Sequence, residues 1–208
     1  MKLSFMLICA YLLGSIPSGL WIGKWLYHKD IRKLGSGNIG TTNTFRVLGK
    51  KAGLIVLFLD MFKGTLAGML PYFFGSFSHP FYSPLLIGVA AVIGHSFSIF
   101  DHFHGGKAVA TSAGMVLAYS PLFFFICWLV FGSLVYFTRM VSVASMLGMV
   151  IIFGLTFFFH DGLLSLIAFI LTCFIIYMHR DNFKRIKAGT ESKVPFGFGY
   201  RKPTTKKK

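Results

Sequence analysis

Phosphate-binding residue types are concentrated in three polar segments, each lying beside a long apolar stretch. The first segment, residues 35–46, contains three glycines, two asparagines and three threonines together with Ser36 and Arg46. Glycines let several backbone N–H groups converge on an anion, and hydroxyl and amide side chains add further donors. Arg46 adds a planar guanidinium group that suits a phosphate or a carboxylate. The segment therefore predicts an anion site.

The same segment matches a second pattern, which points to a different class of protein. Gly35, Gly37 and Gly40 have the G-x-G-x-x-G spacing of dinucleotide-binding folds, and Asp60 follows twenty residues later. That pattern requires a preceding strand and a βαβ unit, whereas apolar stretches of helical length flank this segment. A Walker A loop is excluded because no Gly-Lys-Ser/Thr follows. A flexible glycine-rich linker is the remaining alternative, and it leaves the density of Asn, Thr and Arg unexplained.

The second segment, residues 94–107, ends in Gly105, Gly106 and Lys107 just before another apolar stretch. Unpaired N–H groups, the helix dipole and an ammonium group can together bind an anion at the start of a helix. The alternative is a tight turn between helices with an interfacial lysine.

Two catalytic alternatives for the second segment are disfavoured. A metal interpretation rests on Asp101, His102 and His104. A catalytic metal normally needs a third protein ligand and shielding from competing water, so we expect no metal. Residues 94–98 begin like the nucleophile elbow of serine hydrolases, but they lack its closing glycine and its strand–turn–helix context.

The third segment follows the last apolar stretch and carries His179 and Asn182 among several cations. A segment that only marked the cytoplasmic side would need the cations alone, so these two residues predict a part in the same interfacial site. An interfacial histidine with a structural hydrogen bond is the alternative for His179. Arg139, Ser142 and Ser145 form a fourth, weaker polar patch.

Asp60 and Lys63 lie inside an apolar stretch and are spaced so that they can pair on one helix face. Ionisable groups within a membrane are costly and suggest function by default. For this pair we expect a structural role.

Composition indicates that the apolar stretches cross a membrane. The chain has 208 residues, of which 55% are hydrophobic and 13% charged, whereas about 25% are charged in a typical soluble domain. The three cysteines lie in apolar stretches and predict no disulfide. We expect one domain, residues 1–208, that is an all-α integral membrane protein. The seven predicted spans are about 3–27, 52–74, 83–100, 107–119, 121–138, 141–159 and 162–178.

Loop charge distinguishes seven spans from the six that would result if residues 107–138 formed one helix. With seven spans and the N-terminus outside, the outer segments 1–2, 75–82, 119–120 and 160–161 hold one of the 21 Lys and Arg residues. The other 20 lie on the inside or at adjoining helix ends, as the positive-inside rule requires. Six spans would place the basic 28–51 loop and the basic C-terminal tail on opposite sides. Seven spans and a cytoplasmic C-terminus are therefore predicted.

The tail ends in Lys206, Lys207 and Lys208. Basic residues next to a membrane attract anionic lipid headgroups, by roughly 1 kcal/mol each. No module that reads nucleic acid accompanies this charge. We therefore expect membrane lipids, and no nucleic acid, as partners.

Four runs of sequence follow one another along the chain: YLLGSIPSG from Tyr11, GSGNIGTTNTFR from Gly35, HSFSIFDHFHGGKAVATS from His95 and HRDNFKRIKAGTE from His179. In this order and spacing they resemble the acyl-phosphate-dependent glycerol-3-phosphate acyltransferase family of bacteria, the PlsY family. The resemblance covers nearly the whole chain. Where relatives often have Gly-Ala-Thr-Asn, this chain has Thr41 as the second residue, a mild change.

The resemblance implies an enzyme that transfers an acyl group from an acyl phosphate to the 1-hydroxyl of sn-glycerol 3-phosphate. The products would be lysophosphatidic acid and inorganic phosphate, in the first acylation of bacterial phospholipid synthesis. No cofactor is implied, and a soluble phosphate acyltransferase would supply the donor. The family further implies the bacterial inner membrane, with the site facing the cytoplasm.

By resemblance, the residues expected to be catalytic are Ser36, Arg46, His179 and Asn182. Those expected to bind substrate are Gly35, Gly37, Asn38, Gly40, Thr41, Thr42, Asn43, Gly105, Gly106, Lys107 and Ser142. An acyl phosphate is already activated, so holding two phosphates and steering one hydroxyl can suffice. Our hypothesis is that a substrate phosphate oxygen accepts the hydroxyl proton, and His179 is the rival base.

A transporter for glycerol 3-phosphate or phosphate is the competing class. Against it, the spans show no internal repeat, and the polar segments share one face instead of lying at mid-membrane. A structural lipid-binding protein, the third interpretation, leaves the phosphate-type loops unexplained.

Overall fold

The computed structural model describes residues 1–74 and 82–201, and these residues form helices and connecting loops with no strand. The α-helices in this part of the chain are α1 (Lys2–Ser15), α2 (Ser18–Tyr27), α3 (Thr41–Leu48), α4 (Lys50–Phe74), α5 (Pro84–Ser96), α6 (Val109–Tyr119), α7 (Pro121–Thr138), α8 (Val141–Thr156), α9 (Gly162–Met178) and α10 (Arg180–Lys187). The all-α prediction is confirmed for these residues. The predicted outer segment 75–82, apart from Tyr82, and the terminal lysines 206–208 lie outside them.

Four helical segments are long and apolar enough to cross a membrane: Lys50–Phe74, Pro84–Asp101, Pro121–Thr138 and Val141–Phe159. Two bent pairs, α1 with α2 and α9 with α10, raise the number to six if each pair crosses as one span. Helix α6 is apolar but has only 11 residues, fewer than the roughly 20 that a full crossing needs.

The prediction that residues 3–27 form one helix is wrong. Helix α1 ends at Ser15, α2 begins at Ser18, and the two axes differ by 41°. Pro17 lacks a backbone N–H and disfavours helical geometry at the residue before it. Ile16 accordingly has ψ 114°, which takes its carbonyl group out of the helix. Two helices inside predicted loops, α3 and α10, were also missed.

The chain divides into two compact units, Met1–Phe125 and Ile126–Lys208. Glycines allow close helix packing in the first unit. A Cβ added to Gly114 of α6 would lie 1.9 Å from the Met61 oxygen of α4, and one added to Gly64 would lie 2.1 Å from the Thr111 oxygen. Small residues let membrane helices approach this closely, because lipid provides no hydrophobic force between them. The backbones of α4 and α6 are therefore in direct contact.

In the second unit, α8 and α9 pack together, and the chain after α10 folds back along the helix ends. The Thr172 hydroxyl of α9 donates to the Met149 oxygen of α8 at 3.2 Å. The Val194 N–H donates to the Arg139 oxygen at 2.7 Å, and the Phe198 N–H donates to the Tyr136 oxygen at 2.8 Å. These contacts fasten the C-terminal segment to the end of α7. That residues 1–208 form a single domain stays a prediction.

Replacing Gly114 by alanine should destabilise the protein, because the new methyl group would overlap the Met61 carbonyl oxygen and push α6 from α4. Overpacking of this kind costs about 1–3 kcal/mol, measurable as a lower melting temperature in detergent. Gly132→Ala is the matched control, since nothing lies within 4 Å of an added Cβ there. The control should melt at or slightly above the wild-type temperature. Identical melting of Gly114→Ala and wild type would contradict the packing described.

Candidate active site

Asn43, in the first turn of α3, organises the first polar segment. Its side-chain N–H groups donate to the Ile31 oxygen at 3.1 Å and the Leu34 oxygen at 3.0 Å. Its Oδ1 accepts from the Ser36 N–H at 2.9 Å. Asn43 is buried, so water does not compete for these hydrogen bonds. The carboxamide therefore holds the loop backbone in shape, and direct binding of substrate by Asn43 stays a prediction.

Side chains that can meet a ligand surround this buried amide. Ser36, Thr42 and Arg46 are exposed, and an Arg46 N–H lies 3.5 Å from Asn43 Oδ1. Gly35 and Gly37 have φ values of 61° and 73°, which glycine adopts without strain. The first segment therefore exposes two hydroxyl groups and one guanidinium group on a loop whose backbone is held by Asn43.

The second polar segment makes a tight turn against the end of α5. The Gly106 N–H donates to the His95 oxygen at 3.0 Å. A Cβ added to Gly105 would lie 2.1 Å from that oxygen, and one added to Gly106 would lie 2.1 Å from Nε2 of the same histidine. Lys107 is half-buried, and the chain then enters α6 through Ala108, whose φ is 57°. The turn therefore has no room for a side chain at either glycine.

Two contacts link this region to the second segment, one from Asn38 within the first segment and one from Arg32, which lies three residues before it. Arg32 donates to Asp101 at 2.6 Å, and Asn38 Nδ2 donates to the Gly105 oxygen at 3.4 Å. The Asn38 Oδ1 also accepts from the Gly40 N–H at 2.9 Å. The structure thus brings the glycines of the first segment together with the Gly105–Lys107 turn inside the first unit. Sequence reasoning did not identify Arg32 or Asp101 as a link.

Arg32 is the electrostatic centre of this junction. Its guanidinium also donates to Asp30, with distances of 2.6 and 2.9 Å. Those hydrogen bonds lower the pKa of Asp30 from 3.8 to about 2, and the pKa of Arg32 is raised by the same partner. Arg32 therefore stays charged and bridges a half-buried carboxylate and a buried one. The Asp101 carboxylate thus has a cationic partner.

A metal site at Asp101 would also need His102 and His104 as ligands. His104 Nδ1 lies 2.8 Å from the His102 oxygen, and both side chains are exposed. Within residues 1–74 and 82–201, no three His, Cys, Asp or Glu side chains are grouped as a metal site would require.

The Asp60–Lys63 pair predicted from spacing is confirmed, and its surroundings add two partners. Lys63 Nζ lies 2.9 Å from Asp60 Oδ1, and the Ser18 hydroxyl donates to the same oxygen at 3.0 Å. Lys63 also donates to the Ile16 oxygen at 2.8 Å, the carbonyl group released at the α1–α2 break. The pair therefore compensates the backbone polarity that the break exposes inside the membrane.

In the second unit, His179 is buried between α9 and α10. Its Nδ1 lies 2.8 Å from the Ile175 oxygen. A carbonyl oxygen can only accept, so Nδ1 carries the proton in this arrangement. In the neutral ring Nε2 is then the acceptor. The contact with Ile175 thus leaves Nε2 as the ring nitrogen that can accept a hydrogen bond when His179 is neutral.

Glu191 fixes Asn182, another predicted site residue. Asn182 Nδ2 donates to one Glu191 oxygen at 2.7 Å, and Arg185 donates to the other at 2.7 Å. Burial opposes ionisation of Glu191, but these hydrogen bonds hold its pKa below the ordinary value of 4.5. Ser142 lies close enough to lower that pKa further, although its hydroxyl makes no hydrogen bond of normal geometry. Ser142 and Asn182 are thus gathered around one carboxylate.

These features define a class: helical membrane proteins with phosphate-type loops at the ends of their apolar helices. A family model described as glycerol-3-phosphate acyltransferase matches residues 4–189. The glycerol-3-phosphate acyltransferase of Limosilactobacillus reuteri is 60% identical over 195 residues, covering 94% of this chain and 92% of that protein. The enzyme of the same name from Enterococcus faecalis is 54% identical over 212 residues, covering 97% and 96%.

Two solved structures are similar to this chain over almost its full length. One is PlsY, an integral membrane glycerol 3-phosphate acyltransferase, in its glycerol 3-phosphate form, with a TM-score of 0.84 and 38% identity. The other is its lysophosphatidic acid form, with a TM-score of 0.80 and 36% identity. Each covers 93% of this chain and 96% of the solved chain. The chain belongs to the glycerol-3-phosphate acyltransferase family, in its PlsY group, and is an integral membrane protein.

Proposed function

We propose that this protein transfers an acyl group from an acyl phosphate to the 1-hydroxyl of sn-glycerol 3-phosphate, the first acylation of bacterial phospholipid biosynthesis. The observation that carries the proposal is the junction of two phosphate-type loops, made by the Arg32–Asp101 ion pair and the Asn38–Gly105 hydrogen bond. The similar solved structures support it, because their ligands are the acceptor and the acylated product of this reaction.

The reaction needs two phosphates held beside one another. The glycerol hydroxyl oxygen attacks the acyl carbonyl carbon and passes its proton to a substrate phosphate oxygen. The carbon–oxygen bond to phosphate breaks, and inorganic phosphate leaves with the electron pair. Both substrates are anionic, so their approach requires cationic and N–H donors that offset repulsion. Arg46, Lys107 and the glycine-rich backbone next to Ser36 supply such donors. An acyl phosphate already has a good leaving group, so positioning contributes much of the acceleration.

The individual residues take the roles that the family resemblance implies. Ser36, Arg46, His179 and Asn182 act on the reacting groups. The substrate-binding set is Gly35, Gly37, Asn38, Gly40, Thr41, Thr42, Asn43, Gly105, Gly106, Lys107 and Ser142. Asn43 acts through the loop backbone that it holds, as its hydrogen bonds to Ile31 and Leu34 support.

The proposed topology has seven spans. Six of them are the four long helical segments and the two bent pairs, and α6 is the seventh and shortest. Loop charge supports an outer N-terminus and a cytoplasmic C-terminus in the bacterial inner membrane. The polar segments would then face the cytoplasm, where a soluble phosphate acyltransferase can supply the acyl phosphate.

The identity of the acyl donor can be tested directly with purified protein. With glycerol 3-phosphate and palmitoyl phosphate, without added metal, we expect lysophosphatidic acid and inorganic phosphate in equal amounts. Palmitoyl-CoA in a parallel reaction should give no product, because its acyl carbon is bonded to sulfur and not to a phosphate group that the loops could hold. Product from the thioester alone would refute the acyl-phosphate assignment. No product from either donor, in protein with a normal melting temperature, would refute acyl transfer.

The proton acceptor is tested by His179→Gln, which retains hydrogen-bonding ability but removes the basic imidazole. If a substrate phosphate accepts the proton, kcat should fall by no more than about tenfold, through poorer positioning alone, because loss of a general base costs about a hundredfold or more. Rates, and binding of both substrates, would be measured across pH 6–9. Loss of nearly all turnover with normal binding of both substrates would instead identify His179 as the base.

A further inference from the structure

His95 is a buried titratable residue to which the proposed reaction assigns no role. It lies in the last turn of α5 with 7% of its surface exposed. Its Nδ1 makes no hydrogen bond, and it lies 3.7 Å from Asp60 Oδ1, beyond hydrogen-bonding distance. Its Nε2 side faces Gly106, where an added Cβ would lie 2.1 Å away. The ring therefore fills the space between the Asp60 carboxylate and the proposed phosphate turn.

On the side of His95 away from Gly106, hydrogen bonds hold the Asp60–Lys63 pair in place. Asp60 is held by Ser18 at 3.0 Å and Lys63 at 2.9 Å, and Lys63 is held by the Ile16 oxygen at 2.8 Å. All of these side chains are almost fully buried. A pair of buried charges inside a membrane has few alternative arrangements, because any movement leaves an uncompensated charge. The network therefore gives the imidazole a rigid support.

His95 contacts the turn twice, through different atoms. Its backbone oxygen accepts from the Gly106 N–H at 3.0 Å and would lie 2.1 Å from a Cβ on Gly105. Its ring contacts Gly106 from the side on which a Cβ would project. Gly105 thus lies against backbone that any residue at position 95 would supply, whereas Gly106 lies against the imidazole itself.

We propose that His95 is a positioning residue, which transmits the rigidity of the Ser18–Asp60–Lys63 network to Gly106 and so fixes the turn that receives the phosphate of glycerol 3-phosphate. This rests on the proposed function, because it assumes that the Gly105–Lys107 turn binds phosphate. The Ser18–Asp60–Lys63 network would then support substrate binding, in addition to supplying the hydrogen bond from Lys63 to the Ile16 oxygen at the helix break.

The experiment separates the two glycine contacts by removing the ring. The variants are His95→Ala, Gly106→Ala, Gly105→Ala and each glycine variant combined with His95→Ala. The readouts are the KM for glycerol 3-phosphate, kcat with acyl phosphate as donor, and the rise in melting temperature that glycerol 3-phosphate produces. The melting temperature without ligand checks folding, and His95→Ser replaces His95→Ala if the alanine variant does not fold.

For His95→Ala we expect a KM about tenfold higher and a kcat within about threefold of wild type. Gly106→Ala should harm wild type severely but add less than about threefold in the His95→Ala background, because the ring that its methyl group strikes is gone. Gly105→Ala should keep its full penalty in both backgrounds, because it strikes a backbone oxygen. We therefore expect His95→Ala to relieve the penalty of Gly106→Ala but not the penalty of Gly105→Ala.

An unchanged KM in His95→Ala, or an equal Gly106→Ala penalty in both backgrounds, would overturn the proposal. Failure of the proposed function looks different, since wild type would then form no lysophosphatidic acid. The ligand-induced melting shift needs only binding, so it still reports whether removing the ring relieves Gly106→Ala. Absence of both a melting shift and lysophosphatidic acid, in folded wild-type protein, would refute both proposals together.

Discussion

The ion pair between Arg32 and Asp101 is the interaction on which the candidate site depends. Its partners lie 69 residues apart in the chain, at a separation of 2.6 Å between donor and acceptor. The other contact described between the two glycine-containing loops, the hydrogen bond from Asn38 to the Gly105 oxygen, is longer, at 3.4 Å. Asp101 is buried, so its charge requires a partner. The need to neutralise that carboxylate therefore keeps the loops together.

The helices beneath the loops obey a related constraint, because hydrocarbon cannot satisfy polar groups. The break at Pro17 exposes the Ile16 carbonyl group, and Lys63 reaches it while pairing with Asp60. Close contacts at Gly64 and Gly114 bring α4 and α6 together, which places the start of α6 beside a rigid partner. A membrane enzyme of this size thus builds its site on backbone contacts and a few buried charges instead of a thick apolar core.

Features set by local sequence could be predicted, and features set by distant contacts could not. Spans 121–138 and 162–178 match α7 and α9 because Pro121 and Asp161 are residues that favour helix starts, and the Asp161 side chain accepts from the Leu164 N–H. The Asp60–Lys63 pair followed from spacing on one helix. Helix α3 was missed because its Thr and Asn residues favour turns, and tertiary contacts override that preference. The bend at Pro17 had a local signal that the long apolar stretch concealed.

The candidate site shows the same division. Polar composition identified both loops, whereas the partners Arg32 and Asp101 could be found only from the fold.

The most direct measurement is a double-mutant cycle on the Arg32–Asp101 pair, read as the KM for glycerol 3-phosphate. Arg32→Ala should raise KM strongly because it leaves Asp101 buried and unpaired, and Arg32→Ala/Asp101→Ala should be no worse, for a coupling of about 1.5–3 kcal/mol. Penalties that simply multiply in the double variant would show that the two loops do not form one site.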